Sequence, residues 1–262
     1  MWRYVRLYAH LLRFSISRAM EFRIDFFFRI GMDILWNAMY LAFFSVIFLH
    51  TPLLGGWTHD QIYVFVGVLF VTDALHMTFF SNNLWWFPIH VNKGDLDYYL
   101  VRPVSALFFL SLKEFAANSA VNLLISLGIL TWALARYPEA IPPQLIALLG
   151  VLIALGVFIN YLIGMMFLIP VFWIQNADGL KTLMWNMGST RGRPHRIYKG
   201  WVRRILTTIL PYALVVSIPV DGLFGGHPSA TLWHMVAVAF CGSLLLAAFW
   251  RIGLRAYSSA SS

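Results

Sequence analysis

Cysteine occurs once in the 262 residues, at Cys241, and charge is scarce, with 11% of residues Asp, Glu, Lys or Arg. One thiol excludes an internal disulfide framework, and in an apolar run such as that around Cys241 it is expected to be a small buried hydrophobe. Soluble domains are about a quarter charged; here the deficit is matched by 60% hydrophobic residues and a mean hydropathy of +0.72. That much apolar surface exceeds what a water-soluble core of this size buries, whereas about 20 apolar residues span one bilayer. The chain reads as all-α and polytopic, a single membrane domain over residues 1–262 with no room for a second, soluble one.

Other absences narrow the chemistry. No GxxxxGK[ST] phosphate loop, HExxH or CxxC spacing occurs, and the eight histidines are dispersed. The chain therefore holds no ATP through such a loop and no metal through those spacings, and nothing in the sequence sets a nucleophile beside a base. It reads as a non-enzyme, without a cofactor of its own. No cleavable signal peptide is expected, because arginines alternate with apolar residues through the N-terminal segment.

What is present divides into apolar runs and polar intervals. Residues 1–23 read as an amphipathic helix lying in the membrane interface, with Arg3, Arg6, His10 and Arg13 on one arc and Val5, Tyr8, Leu12 and Ile16 on another. Spans are expected over about 30–49, 62–80, 115–135, 145–170 and 231–250, with a short fifth run at 205–220. Pro211, Pro219 and Asp221 mark that run as a broken or partly re-entrant element shielded by protein, or as part of a gate. Two intervals are too polar to cross: 82–105, which carries Pro88, Lys93, Asp95, Asp97, Arg102 and Pro103, and the basic 172–204.

With six spans and both ends inside, 16 of the 19 Lys and Arg residues fall on the interior side. That distribution explains the net charge of +8 by topology and membrane lipids instead of nucleic acid. Polar residues inside the spans are costly toward acyl chains, so Asp33, Asn37, Asp73, His76, Glu114, Asn118, Asn122 and Asn160 are expected to face protein or a solvated path. Helix packing and a translocation pathway both fit these residues; Asp73, deep in its span, is the preferred pathway residue. Gly156, Asn160 and Gly164 recur every fourth residue, a spacing that permits close helix approach.

Three stretches carry a family resemblance. Gly94-Asp95-Leu96-Asp97 with Leu100, Arg102 and Pro103 resembles the G-x-L-D-x-x-L-x-R-P signature between spans two and three of ABC-2 type permeases, in the short six-span bacterial export branch. Leu210-Pro211-Tyr212 with Pro219, Leu223 and Gly225 is similar to a second family stretch, and Trp250, Gly253, Leu254, Tyr257 and Ser258 to the family's ending. Departures occur at Arg193-Pro194-His195-Arg196 and at Val220-Asp221. The resemblance implies the permease fold of a type V ABC exporter in a bacterial inner membrane, both termini cytoplasmic. It further implies two copies of a cytoplasmic ATP-binding subunit holding ATP and Mg, and a second permease chain, homologous or identical.

On that reading 82–105 is the cytoplasmic coupling loop. Trp85, Trp86 and Phe87 are its apolar anchors, Gly94 its turn, Asp95, Leu96, Asp97 and Arg102 its fixings, and Pro103 the start of the next helix. Trp85 and Trp86 equally fit an interfacial aromatic belt, and the charged trio fits salt bridges within the chain. The implied function is ATP-driven export of a lipid-like, antibiotic or peptide substrate; the alternative is a non-transporting scaffold or sensor subunit on the same fold.

Overall fold

In lipid an apolar run must satisfy its own backbone groups, and the helix does so. Helices dominate the computed structural model, which describes residues 2–21, 23–225 and 227–257; Gly226 and Ser258 lie outside the described residues. In chain order the helices are α1 (Trp2–Glu21), α2 (Arg23–Phe48), α3 (His59–Asn92), α4 (Asp97–Leu100), α5 (Ala106–Leu112) and α6 (Ala117–Arg136). They continue with α7 (Pro143–Ile174), α8 (Ala177–Gly188), α9 (Gly200–Thr208), α10 (Ser217–Phe224) and α11 (Pro228–Ala256). Five of them, α2, α3, α6, α7 and α11, are long and apolar enough to cross a membrane.

The core gathers around α3. A capping box at Thr58 and Gln61 starts it, and Ile62, Val64, Phe65, Val66 and Val68 are fully buried against α6 and α7. One end of the bundle is closed by the turn Thr51–Trp57 between α2 and α3, hereafter the turn end; the other carries residues 93–105 and is the loop end. Ser15 of α1 accepts from the Phe115 backbone N–H, and Tyr257 lies beside Asp97, so the second half of α1 and the described C-terminal end sit at the loop end.

Two expectations are corrected. Residues 82–92 are not loop: a π turn over Met77–Ser81 carries α3 on to Asn92, straight through Pro88. Proline removes one helical hydrogen bond, but packing on both sides offsets the loss, because Leu84, Phe87 and Val91 join Leu168, Phe172 and Trp250 in a second core cluster.

The passage between α7 and α11 also differs. Gly156 of α7 meets Val215 and Phe172 meets Trp250, while Gly222 meets Thr231 near the start of α11, so α7 and α11 both run from the turn end to the loop end. The chain must return between them, and it does so over residues 177–197, not over 205–220. Gln175 turns with φ +54°, Asn176 caps α8 through the Gly179 N–H, and Gly164 of α7 lies against Met184 of α8. Residues 205–220 instead leave and re-enter the core from the turn end. Tyr212 to Val216 are buried, and α10 returns Phe224 to Tyr137, ring centroids 4.7 Å apart. The basic interval is thereby split: Lys181 lies at the loop end beside Trp85, whereas Arg191 to Arg204 lead to the turn end, where Arg196 stands over Trp57.

Candidate functional site

At the loop end, α3 stops because Gly94 takes φ +78°, a conformation that side-chain-bearing residues avoid. The Lys93 and Gly94 N–H groups return to the Ile89 and Val91 carbonyls, closing the helix in a left-handed cap. From there the loop is tied down residue by residue. His90 Nδ1 lies 3.1 Å from the Asp95 carboxylate, and Lys113 Nζ reaches His90 Nε2 at 2.7 Å and donates to the Tyr99 hydroxyl at 3.0 Å. Arg102 donates to the Tyr98 carbonyl and stacks over Phe109, 4.9 Å from its centroid. Tyr257 sits against Asp97; burial, then the nearby carboxylates of Asp97 and Asp95, push its phenol pKa up. Asn92 donates to the Gln175 carbonyl, which joins the loop to the α7–α8 corner.

Several sequence expectations are redistributed. Phe87 is 1% exposed and Leu96 fully buried, so both are spent on this chain's own core instead of facing outward. Trp85 holds Lys181 over its ring at 4.7 Å, and Trp86 faces a cavity beside α1. Pro103 precedes the next helix by three residues, and Ser105 caps that helix by accepting from Phe108. The outward-facing apolar groups are Tyr98, Leu100 and Val101, the last 82% exposed. Sequence reading missed Tyr98 and Val101, although their i to i+3 spacing across a four-residue helix and its C-terminal cap was a usable signal.

Within the bundle, Asn37 of α2 donates to Asn122 of α6 at 3.1 Å, as an apolar surround requires. Asp33 is half-buried one turn earlier. Asp73 receives Arg191 Nε at 2.8 Å, and Tyr40 donates to the Gly192 carbonyl at 2.6 Å, so one irregular turn is held by α2 and α3 together. Asn160 is buried and His76 half-buried, with His76 Nε2 and Asn160 Nδ2 both shielded and lacking a hydrogen-bond partner among the described residues. Glu114 is held by its backbone, both its N–H and C=O bonded to Asn83, while Asn118 reaches Ser119.

The turn end has its own polar cluster. The Asp221 carboxylate accepts from Trp57 Nε1 at 3.0 Å and from Arg196 Nε at 3.1 Å, and lies 3.2 Å from His195 Nε2. His195 Nδ1 is 2.6 Å from Ser217 Oγ. A serine, histidine and carboxylate in a row invite comparison with a hydrolase triad. Ser217 is 1% exposed and its oxygen also accepts the His195 backbone N–H, so no substrate carbonyl reaches it. Pro211 and Pro219 are buried beside this cluster; Pro211 begins the irregular stretch that follows Leu210, and Pro219 lies in the first turn of α10.

A core built on five long apolar helices, with the described C-terminal end and a charged, rigid loop at one pole, is the setting in which comparison with known families becomes informative. The family model for ABC-2 family transporter proteins matches residues 34–261. The chain belongs to that family. No curated protein and no solved structure matches it. Membership in the ABC-2 family and the helical bundle support a transport-permease role. Among the described residues of this ABC-2 chain no group of three or more His, Cys, Asp and Glu could hold a metal.

Proposed function

We propose that this chain is the membrane permease subunit of an ATP-driven exporter in the bacterial inner membrane, both termini cytoplasmic. Two copies of a cytoplasmic ATP-binding subunit, which hold ATP and Mg, supply the energy, and a second permease chain, homologous or identical, completes the pathway. The observation that carries this reading is the rigid loop at 93–105, with Tyr98, Leu100 and Val101 turned outward from a base cross-tied by Lys113 and Arg102 and with Tyr257 packed beside Asp97. Exposed apolar groups on a stiff polar projection suit a groove in a partner. Movement of that groove passes through Asp97, Asp95 and Arg102 into α3, α5 and α11, and shifts the permease between inward-open and outward-open states. The cargo is a lipid-like molecule, antibiotic or peptide.

The test is assembly and coupling with the ATP-binding subunit co-expressed. Val101→Asp is expected to abolish co-purification of that subunit while the permease still inserts. Asp97→Ala is expected to retain assembly and lose substrate-dependent ATP hydrolysis. A Val101→Asp complex that assembled and exported as the wild type does would overturn the assignment of the loop.

A further inference from the structure

A cavity of about 420 Å³ opens at the loop end between α1, α2, α3 and the break joining α5 to α6. Its wall includes Asp25, Arg29, Trp86 and Glu114, none of them used by the loop's own bonds. The volume falls within the range of about 300–1,000 Å³ typical of small-ligand pockets. It stands at the level where α2 begins and Trp86 is 45% exposed, the depth favoured by amphipathic rings at the water boundary.

The charges in it are arranged asymmetrically. Arg29 Nε is committed to Asp25 at 2.7 Å, which leaves the two terminal guanidinium nitrogens without a hydrogen bond among the described residues. Glu114 is pinned through its backbone to both side-chain atoms of Asn83, yet its carboxylate meets no cation and accepts no hydrogen bond among the described residues. The described lining therefore carries two carboxylates against one guanidinium, beside an indole face that attracts cations. Ala116 offers the first turn of α6 no side-chain cap, so its amide dipoles add to Arg29 as partners for an oxyanion.

We propose that this cavity binds the headgroup of a membrane aminophospholipid, its primary ammonium on Glu114 and Trp86 and its phosphate on Arg29. An anionic glycerol headgroup would set its phosphate against Arg29 but offer Glu114 only a neutral hydroxyl in place of a cation. A quaternary ammonium keeps the attraction to Trp86 and loses the hydrogen bond to Glu114. The ranking is therefore ethanolamine over choline over glycerol headgroups.

Native mass spectrometry of the purified full chain, titrated with phosphatidylethanolamine, phosphatidylcholine and phosphatidylglycerol, tests it. The wild type is expected to retain phosphatidylethanolamine about tenfold over phosphatidylglycerol, the size of one charge-assisted hydrogen bond. Glu114→Gln is expected to bring the two to parity, and Glu114→Asp to keep the order. Equal retention by the wild type, or an unchanged preference in Glu114→Gln, overturns the proposal. The wild-type ranking is decisive even where a variant fails to fold. Soluble phosphoethanolamine that competes as well as the lipid would also overturn it, by showing a small-molecule site.

Discussion

Asp221 is shared by Trp57, Arg196 and His195, so three stretches distant in sequence meet on one carboxylate. Asp221→Ala strands the buried Trp57 indole N–H and removes the partner of the exposed Arg196 guanidinium, and is expected to cost about 1–3 kcal/mol, read as a lower midpoint in thermal unfolding of the purified chain. At the other pole, burial and the Asp97 carboxylate hold the Tyr257 phenol above its usual value. A raised acid keeps its full contribution below the unfolded pKa of about 10 and loses it as pH climbs through the folded value. The contact between Tyr257 and the loop is thus expected to loosen only in strong alkali, and Tyr257→Phe to remove that step from the pH profile of C-terminal proteolysis. Gly94 was legible because a turn that needs positive φ favours glycine. Phe87 and Leu96 were not, since an apolar residue in a polar interval faces a partner or its own core with the same letter.

At the scale of elements, the ladder read from Gly156, Asn160 and Gly164 locates real approaches. A Cβ at Gly156 would stand 2.5 Å from the Val215 carbonyl oxygen, whereas one at Gly150 meets nothing. Gly156→Ala is expected to destabilise by about 1–3 kcal/mol. Gly150→Ala, in the same helix, should be neutral or gain about 0.5–1 kcal/mol; detergent thermal denaturation of the pair checks both. The long helices α2, α6, α7 and α11 were visible as apolar runs, since nothing else satisfies a backbone in lipid. The passage at 177–197 was hidden because α8 is short and partly polar, while the more apolar 205–220 competed for the same role. Proline at 88 likewise masked the length of α3, whose flanking side chains outweigh one missing hydrogen bond.

For the whole molecule, the return of the chain through 177–197 moves most of the basic interval away from the pole that holds Lys93 and Arg102. On a Cys241→Ser background, Lys93→Cys and Lys199→Cys are expected to react with a membrane-impermeant maleimide from opposite faces of sealed vesicles. Labelling of both from one face would restore the basic interval to the loop end. Reading charge bias alone assigned all seven cations to one side, because the bias rule counts residues and knows nothing of a segment that folds back through the core.

The length of α3 has one more implication. Its 34 residues reach about 50 Å at about 1.5 Å each, against a hydrocarbon slab of about 30 Å. Even tilted, such a rod must protrude into water, and its turn-end start is held by the Thr51–Trp57 hairpin. The surplus therefore emerges at the pole bearing Gly94, as an oar whose blade lies clear of the bilayer and whose shaft is gripped within it.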